Sequence, residues 1–227
     1  MSKKSKRPKK PPEPKPQARP APSLYLVAPT PTDPAAFGAM LESALEGGAV
    51  ACVLVAPAQG DAGRVRKALE QWTMIARRHD AALIAVADST AIVAAGADGA
   101  HVRGPGPDLA EAVAALKPDH IVGASGLKTR HDAMEAGELD IDYLMFGEPA
   151  PDGWTPPHAE TLERVEWWAE IFNVPCVAFA TAFDEIGPLV AAGADFIALG
   201  DLVWKDPRGP AEAVRSALVH LRATVSA

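Results

Sequence analysis

Asp88, His101, Arg103, Ser125, Glu148, Thr181 and Asp201 share one local setting: each stands at or just past the end of a short apolar run. Gly147 marks the same kind of place. A histidine at such an end can act as a general base, which makes His101 a candidate. Lys128, Arg130 and Lys205 fall in or beside the same loops and can recover affinity for an anion. Trp154 and Trp204 also fall in loops there, where they line an apolar pocket or shut it. The carboxylates carry a second reading. Asp88 precedes Ser89-Thr90, and Asp108 follows Pro107, so each can simply cap a helix.

These positions need a scaffold that gathers strand ends. Eight apolar runs rich in Val, Ile, Leu and Ala cover 24–28, 50–56, 82–87, 99–102, 120–124, 141–146, 175–180 and 196–199. Most do not alternate polar with apolar, which predicts strands buried on both faces, as in parallel sheets. Helical segments lie between them. Asp33-Pro34 opens the first and Gly47-Gly48 closes it. The others are expected at 62–79, from Ser89 or Thr90 to Gly96, 109–116, 130–136, 160–172, 185–192 and 210–223. The pentapeptide Ala-Ala-Gly-Ala-Asp occurs at 94–98 and again at 191–195, each time before an apolar run. Glycine supplies a left-handed helix end, and Asp leads into a buried strand. A helix–strand joint repeated at half-length favours a closed (β/α)₈ TIM barrel over a doubly wound open sheet. In such a barrel the chemistry sits at the C-terminal ends of the strands.

Charge divides the chain in two. Residues 1–23 hold eight Lys/Arg, one Glu and seven Pro, and read as a disordered basic tail. Residues 24–227 form the barrel domain, where 14 basic and 28 acidic residues give −14. So acidic a body is a poor candidate for nucleic-acid binding, except through the tail. No apolar run is long enough for a membrane helix or an export signal. Cys52 and Cys176 sit inside apolar runs without metal-type spacing, so free thiols in the cytoplasm are expected. Trp167-Trp168 suggests core packing or a contact with a second copy of the chain.

The order of landmarks resembles the thiamine phosphate synthase family, with its aminothiazole tautomerase branch. The carriers are Leu24-Tyr25-Leu26-Val27, Gly47-Gly48-Ala49, the run ending in Asp88, and Gly96-Ala97-Asp98-Gly99-Ala100-His101-Val102. They continue through Ile121-Val122-Gly123-Ala124-Ser125, Asp142 to Gly147, Val174-Pro175-Cys176-Val177-Ala178 and Gly193-Ala194-Asp195. The resemblance implies a transferase of thiamine biosynthesis. It would join an aminopyrimidine pyrophosphate to a thiazole phosphate and release pyrophosphate, binding these small molecules at the C-terminal face. It also implies Mg²⁺, with Asp88 and Asp108 as the matching carboxylates, and Ser125, Gly147, Lys128 or Lys205 near the pyrophosphate.

Several family positions differ here. The second strand of the family ends in Gln-Leu-Arg with a nearby Lys, and this chain reads Leu54-Val55-Ala56-Pro57-Ala58. The Asn-Asp pair becomes Ala87-Asp88, and a Lys-bearing loop becomes Glu148 to Trp154. The Gly-Gly phosphate turn becomes Ala180-Thr181, and a Ser becomes Asp201. The tautomerase branch needs a His in the loop where His131 stands a few residues late. The expectation is therefore a divergent synthase-like protein with weakened phosphate chemistry. The alternative is a non-catalytic paralogue, a pseudoenzyme binding a small molecule or a partner.

Overall fold

A computed structural model describes residues 20–58 and 60–225. Eight strands, β1 Ser23–Val27, β2 Cys52–Val55, β3 Ala82–Ala85, β4 Gly99–Arg103, β5 Ile121–Ser125, β6 Tyr143–Phe146, β7 Cys176–Ala180 and β8 Phe196–Leu199, pair in sequence order and close. All pairs are parallel, and Tyr25 opposite Ala198 closes the β1–β8 seam. Helices α1 Pro34–Glu46, α2 Ala62–Arg78, α3 Ser89–Ala95, α4 Pro107–Leu116, α5 Arg130–Gly137, α6 His158–Ile171 and α7 Ile186–Ala191 follow the first seven strands. The eighth strand is followed by two, α8 Asp201–Trp204 and α9 Pro210–Val225. The expected TIM barrel is what forms. The expected tail lies, as far as residue 19, outside the described residues, and Ser23 already belongs to β1.

The strands carry two apolar faces because both are covered. Leu24, Leu26, Val53, Leu83, Val122 and Leu144 point outward into one core beneath the helices. Alternate residues, among them Tyr25, Leu54, Ile84, Tyr143 and Phe179, fill the interior. Gly123 faces that interior, and a Cβ there would lie 2.0 Å from the Tyr143 ring. Removing a side chain on β5 is thus what admits the ring of β6.

Local capping matches the sequence. Asp33 accepts from Ala35 and Ala36 N–H, Asp61 from Arg64 N–H, and Thr129 with Asp132 forms a reciprocal cap on α5. The duplicated pentapeptide puts Gly96 and Gly193 at φ of 64° and 101° in the two turns entering β4 and β8. Its aspartates reach sideways to the neighbouring strand. Asp98 accepts from Leu83 N–H at 2.8 Å and Asp195 from Cys176 N–H at 2.9 Å. Asp142 before β6 does the same to Val122 N–H at 2.7 Å. These contacts lie at the N-terminal ends of the strands and fix the register there.

Candidate functional site

β4 and β5 are in register with His101 opposite Gly123 and Arg103 opposite Ser125. Two-residue alternation therefore turns His101, Gly123 and Ser125 to the barrel interior and puts Arg103, which is exposed, on the same face at the mouth. His101 is at the deeper level and only 2% exposed. Its Nδ1 lies 2.9 Å from the Tyr143 hydroxyl, which in turn lies 2.7 Å from that of Tyr25. Its Nε2 has no hydrogen bond. Burial, with a smaller contribution from Arg103, pushes the His101 pKa down to about 3. His101 is thus a neutral core imidazole, sealed below the mouth where the sequence had suggested a general base.

The upper level is the mouth. Ser125 ends β5 with its hydroxyl 1% exposed and without a hydrogen bond. Gly126 follows at φ 70° and donates its N–H to Glu148 Oε1 at 2.6 Å. Gly147 adopts φ 86°, and a Cβ there would meet the Thr161 side chain at 2.5 Å. That turn delivers Glu148 to Gly126. Burial raises the Glu148 pKa, while the Gly126 N–H, its own N–H, Ser125 and Arg103 all act against the rise. Arg103 makes no hydrogen bond or ion pair among the described residues, and neither does the Lys128 ammonium. These are the unpaired cations of the β4–β6 side. The other two are engaged. Arg130 binds Glu163 at 2.7 Å and lies over Trp167, and Lys205 binds Asp201 at 2.7 Å.

The remaining sequence candidates are spread around the mouth. Asp88, exposed after β3, caps α3 by accepting Ala91 N–H on Oδ1 at 2.9 Å. Its second oxygen is unused. Asp108 is exposed in the first turn of α4, after β4. Among the described residues, no three His, Cys, Asp or Glu side chains form a group that could hold a metal. A cage built from protein alone therefore does not fit. Asp88 and Asp108 are exposed carboxylates that follow the adjacent strands β3 and β4. Asp201 starts α8 on the far side, exposed and matched by Lys205. Trp204 does not line the mouth: it is 8% exposed and donates its ring N–H to Val27 O. Trp154 is exposed.

Two features escaped the sequence reading. Arg103 was named only as a strand-end position, although it lies two residues from His101 and so on the same face. Glu185 was read as the start of a helix. Its Oε2 accepts from Thr181 N–H at 2.7 Å and Ala182 N–H at 3.2 Å, in the turn where glycines were missing. Two clefts of about 480 and 640 Å³ lie at the opposite end of the barrel, against Ser23, and contain none of these residues.

The thiamine monophosphate synthase family model matches residues 24–203. The thiamine-phosphate synthase of Rhodospirillum centenum is 38% identical over 193 residues, covering 84% of this chain and 93% of that protein. The thiamine-phosphate synthase of Hyphomonas neptunium is 35% identical over 211 residues, covering 88% and 94%. Among solved structures, the thiamine phosphate pyrophosphorylase from Pyrococcus furiosus superposes with a TM-score of 0.74 at 20% identity, covering 89% of this chain and 96% of that one. None of these matches supports the alternative of a non-catalytic paralogue. Among the described residues no helix is long and apolar enough to cross a membrane.

Proposed function

Because the chain belongs to the thiamine monophosphate synthase family, we propose that it joins an aminopyrimidine diphosphate to a thiazole phosphate. The C–O bond between the pyrimidine methylene and the diphosphate breaks, and its electron pair leaves with the diphosphate. The methylene carbon, left cationic, is captured by the thiazole. The observation that carries this reading is the family match over the whole barrel, 24–203.

The residues supply parts of what the step needs. Departure of a diphosphate is assisted by donors already aimed at its oxygens. Ser125 Oγ, the Gly126 N–H, Arg103 and Lys128 are the donors on the β4–β6 side, with Gly147 allowing the chain to turn beside them. Asp88 and Asp108 would hold Mg²⁺ together with the diphosphate, where the ion would neutralise developing negative charge. Asp201, with Lys205, borders the pocket on the β8 side. Both cysteines are buried thiols outside any disulfide, in keeping with a reducing, cytoplasmic setting.

The test is diphosphate release by the full-length protein given both substrates and Mg²⁺, alongside growth of a thiamine-requiring strain that lacks this activity. Release and growth are the expected results. Absence of both, with no calorimetric binding of either phosphorylated substrate, would overturn the proposal.

A further inference from the structure

A backbone N–H binds one carboxylate at the mouth, and a hydroxyl and a guanidinium favour its charged form. Gly126 N–H donates to Glu148 Oε1 at 2.6 Å. The Ser125 hydroxyl is buried, has no hydrogen bond, and lies close enough to favour the charged form of Glu148. Arg103, unpaired among the described residues, acts on the same carboxylate through its field. Such donors suit an anionic oxygen. The anion that meets them belongs to the chain. It reaches them from the turn at Gly147, whose φ of 86° and contact with Thr161 fix the origin of the side chain.

We propose that Glu148 is a built-in competitor at the mouth: its carboxylate holds the Gly126 N–H at the end of β5, and an incoming diphosphate must displace it. The inference rests on the reading that this mouth takes a diphosphate. Its physical basis is competition. The carboxylate satisfies the Gly126 N–H in the empty site, and its negative charge opposes a second anion beside the same donors. Burial also disfavours its charge, and protonation removes the repulsion it exerts on an anion. The groups facing it are Arg103 from β4 and Ser125 and Gly126 from the end of β5, of which Arg103 is the charged one.

The probe is inorganic pyrophosphate, titrated calorimetrically into the full-length protein at pH 8 and fixed Mg²⁺. Glu148→Gln keeps an acceptor for Gly126 and removes the charge. It is expected to bind pyrophosphate at least tenfold more tightly than the unmodified chain. Adding Arg103→Gln is expected to abolish that gain. The affinity ratio between the two proteins should fall towards one as pH drops through the Glu148 titration, because the ratio cancels the protonation of pyrophosphate itself. A purely structural Glu148 would leave the ratio flat with pH. Glu148→Ala serves as the second variant, with thermal melts reporting whether each protein is folded. If the unmodified chain binds pyrophosphate and neither variant binds it more tightly, the role of Glu148 is overturned while the diphosphate reading stands. If none of the folded proteins binds it, both fall.

Discussion

The two ends of this barrel use the same interaction for opposite purposes. At the N-terminal ends of β4, β6 and β8, Asp98, Asp142 and Asp195 each accept a backbone N–H from the preceding strand. At the C-terminal ends, Glu148 and Glu185 also accept backbone N–H groups, from Gly126 and from Thr181 with Ala182. At the first end the contact ties the start of one strand to its neighbour and fixes register. At the second the amides lie where ligands arrive, so the same contact stabilises the empty loop and competes with an anion. A carboxylate on a backbone amide thus takes its meaning from which end of the strand it occupies.

The sharpest way to break this contrast is to remove one carboxylate from each end. Asp195→Ala removes the carboxylate that accepts the Cys176 N–H beside a buried side chain. Loss of about 3 kcal/mol is expected, the upper range for a hydrogen bond to a charged group, read as a lower urea midpoint at unchanged slope. Glu148→Gln should not lower the midpoint, because it keeps an acceptor and removes a charge that burial disfavours. Equal destabilisation by the two would mean that both ends are merely structural.

His101 offers the next largest effect and belongs to neither end. Its folded-state pKa of about 3 lies below the ordinary histidine value. Between the two values the unfolded chain binds a proton that the folded chain refuses, so stability falls with falling pH across that window. The slope rises towards about 1.4 kcal/mol per pH unit, so moving from pH 6.5 to pH 5 should cost about 1.6 kcal/mol. His101→Gln should flatten that slope in urea titrations between pH 7 and 5. An unchanged slope would show that the imidazole takes up a proton inside the barrel.

The scaffold was more legible in the sequence than the site, and the reason is physical. Strand burial on both faces and helix capping are local patterns, so β1–β8 and α1–α7 appear near their expected places. The duplicated pentapeptide marked Asp98 and Asp195 as entering strands but not their sideways contacts, and Asp142 was not marked because its approach reads Leu139-Asp140-Ile141. The short α8 was missed, being four residues long. The mouth depends on which loop residues turn towards each other across adjacent strands. Alternation from His101 could have located Arg103, but nothing in the spacing announces that Glu148 meets Gly126. The matched Asp201 and Lys205 were likewise separable in sequence and neutralise each other in space.

Asp88 tests whether one carboxylate can serve both purposes. It caps α3 through Oδ1 and leaves Oδ2 free towards the mouth end. Asp88→Ala should lower stability by about 1 kcal/mol through the lost cap, whereas Asp88→Asn retains a capping oxygen and should not. If the second oxygen helps hold Mg²⁺, both variants should raise the Mg²⁺ concentration needed for half-maximal diphosphate release. A shift in the alanine variant alone would confine Asp88 to capping.

The smallest effect separates two lysines that the sequence treated alike. Lys205 and Asp201 are 72% and 67% exposed and lie 2.7 Å apart within one helical turn. An exposed pair of this kind contributes between about 0 and 1 kcal/mol, and its charges cancel at any distance beyond their separation. Lys128 has no ion pair among the described residues, so no neighbouring carboxylate offsets its charge towards an anion arriving at the β5 end. Lys205→Ala should therefore leave urea stability within about 0.5 kcal/mol. Because it uncovers Asp201, it should weaken pyrophosphate binding only by the repulsion of a solvated carboxylate on the β8 side. Lys128→Ala should weaken binding more, and the difference should shrink as salt rises from 50 to 500 mM by about the loss expected for screened charges. Equal losses in the two variants at low salt would mean that diphosphate sits midway across the mouth, and the assignment of its oxygens to the β4–β6 side would fail.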